Sequence, residues 1–352
     1  AAKRLFDDTW TAGPRYTSYP TAPVWTDAFG DEEWDAALAE ADKRGDEPLA
    51  LYLHLPFCRK RCLFCACNVV ITQRDDVLDA YLNRLKEEIS TVASKLPNRR
   101  RVSGVHWGGG TPTHLSPAEI EDVWECINEH FELISDAEVS VEVHPPVTTL
   151  EQMQTLARLG FNRISLGVQD IDPGVQAMID RNQTLKQTED VLTWARELGF
   201  NSVNFDLIYG LPGQTLDTWN YTLDQVVRLQ PNRLAIYSYA HVPWLHPHQN
   251  RMPKDQLPDP DLKLELLRTA SHRLEAEVGY EEIGFDHFAL PTDELATAVK
   301  DRKLYRNFMG YTVKPARDYI GFGMTAISEV GNAFAQNHSK LNRWNEAIDS
   351  GR

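Results

Sequence analysis

The sequence predicts an α/β protein built on a partial (β/α)6 barrel, with an N-terminal extension and a C-terminal extension of strands and loops. Short runs of β-branched and aliphatic residues recur along the chain, and each is followed by a longer segment with helical spacing of apolar positions. Successive βα units form a parallel sheet that right-handed crossovers curl into a barrel. Ligand-binding residues are then expected at the carboxyl ends of the strands.

Six strands and six helices are predicted to alternate. The strands are placed at 49–55, 102–107, 137–143, 162–168, 202–209 and 233–239. The helices are placed at 76–96, 116–131, 150–159, 185–198, 216–229 and 261–278. Ser116 and Glu119 form a capping box with Pro117 at the first helical position, and Gly160 and Gly199 stand where left-handed C-caps are expected.

Three regions are predicted: an extension over residues 1–48, the barrel over 49–278, and a second extension over 279–352. The first extension contains the run GPRYTSYPTAP, which is rich in turn formers and aromatic residues. The second consists of glycine-spaced apolar runs such as YIGFGMTAIS, which are expected to add strands or loops over the barrel mouth.

Composition and charge exclude several classes of partner. The chain has 352 residues, of which 42% are hydrophobic, enough to bury a large core. A net charge of -15 argues against nucleic-acid binding. No apolar run has the length of a membrane span or a signal peptide, so a cytoplasmic protein is expected. Two basic clusters, 59–61 and 99–101, could meet an anionic partner; otherwise they are solvated surface.

Four of the five cysteines lie between positions 58 and 67, which favours a metal site over disulfides. Cys58, Cys62 and Cys65 form a CxxxCxxC triplet directly after the first predicted strand. Three thiolates can hold three irons of a [4Fe-4S] cluster and leave the fourth iron open. A four-thiolate zinc site that adds Cys67 is the alternative. Cys126 lies in a predicted helix and reads as a small buried hydrophobe.

A glycine-rich turn, GGGTP, begins at Gly108 after the second predicted strand. Glycines there permit close approach of the backbone to a ligand, although a tight strand-to-helix turn would explain them equally well. Together with the cysteine triplet, this turn resembles the motif of radical S-adenosylmethionine (SAM) enzymes that contacts the methionyl amino group.

The chain more closely resembles the oxygen-independent coproporphyrinogen III oxidases. The matching stretches are GPRYTSYPTA, LYLHLPFCRKRCLFCACN, HWGGGTPT, FNRISLGVQD, DLIYGLPGQT, DHFA, RNFMGYT and GFGMTAIS, which run from Gly13 to about Asn337. Cys67 separates this branch from related haem chaperones, which usually carry an aromatic residue there.

The resemblance implies a radical decarboxylation in haem synthesis. A reduced cluster would cleave SAM to methionine and a 5'-deoxyadenosyl radical, which abstracts hydrogen from a propionate. Loss of carbon dioxide and one electron leaves a vinyl group, and two propionates of the porphyrinogen substrate are converted in turn to give protoporphyrinogen IX. The electron donor and acceptor are not identified.

The resemblance also implies roles for individual residues. The metal ligands are Cys58, Cys62 and Cys65, and the catalytic residues are Tyr52 and Glu142. The residues implied to contact the cluster or SAM are Tyr52, Phe64, Gly109, Gly110, Thr111, Glu142, Gln169, Arg181, Asp206, Ala240 and Ile327. Arg15 and Tyr16 are candidates for covering the substrate. Independently, Glu142, Gln169 and Asp206 fall at or near the carboxyl-terminal halves of predicted strands, where strand-end capping is the alternative role.

Three departures from the family pattern bear on the interpretation. Met309 replaces a glutamine associated with a second SAM, and methionine cannot donate an amide hydrogen bond, so one SAM is expected and the second stays open. The segment EVHPP carries His144 and Pro146 where aspartate and arginine are usual. The family's helical C-terminal domain is expected to be absent. A methyltransferase or cyclopropanase of the same branch, a haem chaperone and a zinc-stabilised barrel are the competing hypotheses.

Overall fold

A computed structural model describes residues 21, 24–26, 28–308 and 310–351. The candidate substrate-covering residues Arg15 and Tyr16, and the departure at Met309, lie outside the described residues. Residues 49–55, 202–209 and 216–229 form the predicted elements with the predicted bounds.

The elements are numbered along the described part of the chain. The strands are β1 Leu49–Leu55, β2 Phe57–Cys58, β3 Val70–Ile71, β4 Arg101–Gly109, β5 Glu132–Val143, β6 Arg163–Gln169, β7 Ser202–Tyr209, β8 Arg233–Ser238, β9 Glu281–Gly284, β10 His287–Ala289, β11 Tyr305–Asn307, β12 Gly310–Thr312, β13 Tyr319–Phe322, β14 Ile327–Val330 and β15 Ala333–Gln336. The helices are α1 Asp31–Asp42, α2 Asp75–Ser94, α3 Pro117–His130, α4 Leu150–Arg158, α5 Pro173–Met178, α6 Leu185–Glu197, α7 Leu216–Leu229, α8 Pro260–Arg273, α9 Glu294–Lys300 and α10 Leu341–Asp349. A π-helical turn, Leu274–Val278, continues α8.

The central sheet confirms the predicted partial (β/α)6 barrel. Strands β1, β4, β5, β6, β7 and β8 are parallel and adjacent in that order. Strand β13 pairs parallel to β1 on its other side, followed by β14 and β15, while β10 and β9 extend the β8 edge. The residues after 279 therefore add strands, as expected, and several of these strands pair at the two edges of the sheet, which satisfies their backbone groups. Their expected position over the barrel mouth stays a prediction. The division of the chain at 279 stays a prediction.

The two faces of the barrel sheet differ in polarity. Successive side chains of a strand point to opposite faces. Leu51, Leu53 and Trp107 on one face are fully buried in the main hydrophobic core. The alternate positions carry polar groups such as Tyr52 and His106, which are paired in register on β1 and β4. The inner face therefore carries polar side chains that can bind a ligand, and the outer face packs against the helices.

Arg99 is an exception to the expected surface position of the basic cluster at 99–101. It is completely buried: its guanidinium donates to the Asp318 carboxylate, to Ala41 O at 3.1 Å and to Glu47 O at 2.9 Å. Arg44 pairs with the same carboxylate. Tertiary packing explains this burial, because Asp318, immediately before β13, meets Arg99 only once β13 has joined the sheet.

Glu88 on α2 is predicted to make stability depend on pH. Burial raises the pKa of Glu88 to about 7, although Gly323 N–H and the Asn337 amide donate to its carboxylate at 2.7 and 2.6 Å. Between about pH 4.5 and 7 the folded state keeps a proton that the unfolded state loses, so stability falls as pH rises. This shift corresponds to roughly 3 kcal/mol.

We expect Glu88→Gln, which resembles the protonated carboxyl, to flatten this dependence. Thermal unfolding midpoints of the two proteins, measured from pH 5 to 8.5 without oxygen, should diverge at high pH in favour of the variant. Parallel curves would contradict the assignment of Glu88 as the titrating group.

Candidate active site

The cysteine segment lies at the carboxyl end of β1 and is fastened to several neighbouring elements. Leu63 N–H donates to Ile179 O at 3.0 Å, and Arg61 donates to Val69 O at 3.2 Å. His248 Nε2 donates to Cys65 O at 2.7 Å. The loop that carries the thiols is therefore bonded to the residue that follows α5, to the residue that precedes β3 and to the segment after β8.

The glycine turn after β4 packs directly against this cysteine segment. Gly110 N–H donates to Leu55 O at 2.8 Å, and Thr111 N–H donates to Phe57 O at 2.9 Å. A Cβ atom on Gly110 would stand 2.5 Å from the backbone of Pro56, so a side chain there would push the two segments apart. Thr111 Oγ1 also lies 3.4 Å from Cys58 Sγ. The glycine turn therefore allows two backbone segments to pack closely against each other and is not a simple connecting loop.

Glu142 at the end of β5 faces this turn. Its carboxylate accepts hydrogen bonds from Gly109 N–H at 3.2 Å and from His106 Nε2 at 3.3 Å. Burial raises the pKa of Glu142, but the hydrogen bond and charge of His106 and the Gly109 N–H outweigh it, so the net pKa lies below its ordinary value. An ionised carboxylate therefore faces the cavity.

Asp206 on β7 is a second carboxylate of the inner face, in a different electrostatic setting. Ser165 Oγ donates to it at 2.8 Å and the Asn204 amide at 2.9 Å. Burial raises its pKa to about 6, with a further contribution from the negative charge of Glu142. At neutral pH both carboxylates are mainly ionised and can accept hydrogen bonds from a polar ligand.

Arg181, in the segment after α5, connects the cysteine loop to β6. Its guanidinium donates to Gly167 O, to Gln183 Oε1 at 3.2 Å and to Cys62 Sγ at 3.6 Å. Gln169 at the end of β6 has a positive φ of 68°, a left-handed conformation that non-glycine residues seldom adopt. Such backbone strain is concentrated at binding and active sites.

A cavity of about 460 Å³ brings most of the predicted site residues together. The predicted residues that border it are Cys58, Cys62, Phe64, Cys65, Gly109, Gly110, Thr111, Glu142, Gln169, Arg181 and Asp206. Cys67 and His144 border it as well. These side chains come from five of the six barrel strands or the segments that follow them, so only the folded chain assembles them.

Three predicted residues lie outside the lining of this cavity. Tyr52 stacks on the His106 ring at 5.8 Å between centroids, so it contacts the partner of Glu142. The carbonyl of Ala240 accepts from the Gln249 amide at 3.3 Å, and that amide also donates to Phe64 O at 3.2 Å. Ile327 begins β14, at the β13 edge of the sheet.

Sequence reasoning missed three inner-face residues: His54, His106 and Tyr237. A backbone carbonyl can only accept, so His54 Nε2 donates to Asn68 O at 3.0 Å and His54 Nδ1 accepts from Tyr52 Oη at 3.0 Å. Tyr237 borders the cavity from β8. The two-residue alternation LYLHL, which puts Tyr52 and His54 on the same face, was the available signal.

The donor set fits a [4Fe-4S] cluster. Three cysteine side chains from one loop border a single cavity. Burial raises the pKa of the Cys58 thiol to about 11, whereas the interaction with Cys67 lowers that of Cys65. Among the described residues, no three His, Cys, Asp or Glu side chains converge as ligands of one metal ion would. A cubane needs no such convergence, because each thiolate binds a different iron.

The fold and this thiol site define the chain as a radical SAM protein, and the family model described as the Radical SAM superfamily matches residues 52–226. The chain is 44% identical over 343 residues to the oxygen-independent coproporphyrinogen III oxidase of Pseudomonas aeruginosa, covering 97% of this chain and 74% of that protein. It is 43% identical to the Escherichia coli protein of the same name, covering 96% and 73%. It belongs to the family of oxygen-independent coproporphyrinogen III oxidases.

A solved structure agrees with this membership. The structure of coproporphyrinogen III oxidase from Escherichia coli, described as a radical SAM enzyme, superposes with a TM-score of 0.92 at 41% sequence identity. The superposition covers 96% of this chain and 77% of the other. In the described part of this chain, no helix combines the length and apolar character of a membrane span.

Proposed function

We infer that this chain converts coproporphyrinogen III to protoporphyrinogen IX without oxygen, by oxidative decarboxylation of two propionates to vinyl groups. The observation that carries this inference is the single cavity joining the three cysteines to Glu142 and Asp206, in a chain 44% identical to an oxidase of that name. When bound, the [4Fe-4S] cluster and SAM supply the radical that starts the reaction.

The thiol ligands and the glycine turn are proposed to form one end of the SAM site. Cys58, Cys62 and Cys65 hold three irons from a loop whose position is fixed by hydrogen bonds. Gly110 lets the turn lie against that loop without a side chain between them. This arrangement gives the backbone of the turn access to a ligand on the open iron.

The polar groups of the inner face are proposed to orient SAM. Glu142, kept ionised by His106, accepts hydrogen bonds from amino or hydroxyl groups of the ligand, and Asp206 accepts from the ribose hydroxyls. Arg181 uses three of its five N–H donors on described residues, which leaves two for a carboxylate. Tyr52 positions the imidazole of His106 by stacking on it.

We also propose that the protein acts in the cytoplasm, and we propose its partners. A cluster needs its cysteines as free thiols, which is the state that a reducing cytoplasm maintains. The porphyrinogen is the substrate, an electron donor and a final electron acceptor are separate partners, and no nucleic-acid partner is proposed for a chain of net charge -15.

Product analysis tests the function directly. Protein reconstituted with iron and sulfide is incubated without oxygen with coproporphyrinogen III, SAM and dithionite, and the divinyl product with two molecules of carbon dioxide is expected. SAM cleavage with unchanged porphyrinogen would contradict the proposal. Labelled SAM methyl groups in the product would identify a methyltransferase instead, and stoichiometric haem binding without SAM turnover would identify a carrier.

A further inference from the structure

We propose that the exposed surface around the cysteine loop is the docking site of an acidic one-electron carrier protein. The surface, here called the donor patch, consists of Arg59, Lys60, Arg61, Trp244 and Leu245. The inference rests on the proposed function, because that chemistry requires the cluster to be reduced by an external donor.

The charge of the donor patch is opposite to that of the whole molecule. The chain carries a formal net charge of -15, yet three consecutive basic residues stand between the first two cysteine ligands. Arg59 and Lys60 are exposed. Lys60 pairs with Asp180, which leaves Arg59 and Arg61 to set the sign of this surface. Because the remaining protein surface repels an acidic partner, a local basic surface selects both its docking position and its orientation.

The apolar component of the donor patch comes from the loop after β8. Trp244 and Leu245 are 74% and 68% exposed, among the most exposed large apolar side chains in the described part of the chain. The turn that presents them is ordered by Leu245 N–H and His246 N–H, which both donate to Val242 O. Tryptophan and arginine are both residue types that interface hot spots favour.

The two components of the donor patch are joined through the cysteine loop itself. His248 Nε2 donates to Cys65 O at 2.7 Å, and the Gln249 amide donates to Phe64 O at 3.2 Å, so the 244–249 segment is bonded to the loop of the cluster ligands. A protein docked here would contact the chain segments that hold the cluster.

The electron balance of the step is simple. One electron leaves the reduced carrier, which is oxidised by one unit, and enters the oxidised cluster, which is reduced by one unit. No covalent bond forms or breaks. Electron-transfer partners of this kind form small, weak, salt-sensitive complexes, which suits a patch of a few side chains.

The test uses reduced flavodoxin, an acidic flavin protein, as the carrier and the reconstituted full chain as the acceptor. Stopped-flow absorbance measures the second-order rate of cluster reduction for wild type, Arg59→Glu and Trp244→Ser. We expect the rate to fall about 5- to 10-fold in each variant, and the wild-type rate to fall about tenfold between low and high salt. The dissociation constant for oxidised flavodoxin, measured by calorimetry, should rise in parallel.

Two comparisons keep the test specific. Arg343→Glu on α10 changes the net charge by the same amount away from the patch, so its reduction rate should stay within about twofold of wild type. With saturating dithionite, Trp244→Ser should form product at the wild-type rate. Because Arg59 borders the cavity, a higher KM for coproporphyrinogen in Arg59→Glu would assign the residue to substrate and overturn the proposal.

The outcomes separate this inference from the proposed function. If wild type forms no divinyl product with dithionite, the proposed function fails. If wild type forms product but Arg59→Glu and Trp244→Ser accept electrons from flavodoxin at the wild-type rate, the function stands and the donor patch is wrong. An equal loss in Arg343→Glu would show that only net charge matters, which would also overturn the assignment of the patch.

Discussion

Replacing Cys58, Cys62 or Cys65 with alanine is expected to abolish the iron–sulfur cluster and all SAM cleavage. In the proposed site each thiolate would be the sole protein ligand of one iron, so its loss would leave two open corners in place of one. Activity should fall by at least about 1000-fold, because no other group in the cavity supplies the radical chemistry. Iron and sulfide analysis and the visible absorption of protein prepared without oxygen provide the measurement.

Two other cysteines serve as controls for this expectation. Cys126→Ala, on α3 and away from the cavity, should keep wild-type iron and sulfide content. Cys67→Ala should also retain the cluster, because the triplet suffices for three irons. Loss of metal in Cys67→Ala, with one zinc per chain and no sulfide in wild type, would show a four-thiolate zinc site. A cluster that survives removal of all three thiols would equally refute the assignment.

Glu142→Gln is expected to give the next largest loss, with the cluster intact. The amide cannot act as acceptor to both Gly109 N–H and His106 Nε2, and the negative charge that faces the cavity disappears. Hydrogen bonds to charged groups contribute roughly 1.5–3 kcal/mol, so kcat/KM for SAM should fall about 10- to 100-fold. Steady-state kinetics at varied SAM concentration measures the effect, and iron analysis verifies the cluster.

Glu132→Gln is the matched control for that variant. Glu132 begins the same strand, β5, and is exposed at its opposite end, so the same chemical change should leave kcat/KM within about twofold. Equal effects of the two substitutions would mean that Glu142 acts only through the stability of β5, and an unchanged KM for SAM in Glu142→Gln would remove it from the SAM site.

The barrel could be predicted because the sequence patterns that specify its strands and helices involve residues close together in the chain. Each of the six strands is a short run rich in β-branched or aliphatic residues and is followed by a segment with helical spacing of apolar positions, and α7 carries Thr215 as its N-cap. The CxxxCxxC spacing placed three thiols in a loop after β1, and the structure holds them beside one cavity. These features depend on residues close in sequence, so periodicity and spacing sufficed to identify them.

Other features depend on residues far apart in sequence, and sequence reasoning missed them. Arg99 and Asp318 are separated by 219 residues, and nothing near Arg99 indicates that a carboxylate will bury it. The pairing of β13 with β1 likewise joins distant segments. Main-chain hydrogen bonds between strands leave no side-chain pattern that identifies the partner strand. The order of the strands at the edges of the sheet therefore could not be predicted.

The sequence alone determined the class of fold, the presence of three closely spaced thiols in one loop, and the strand ends from which a site would be built, because helical and strand periodicities and cysteine spacing are local properties of the chain. Only the tertiary structure decided that His106 supports Glu142, that Arg181 reaches Cys62, and that His248 is bonded to the cysteine loop. Those contacts arise between separate βα units. The relative position of these units is set by the packing of the whole sheet rather than by any single segment.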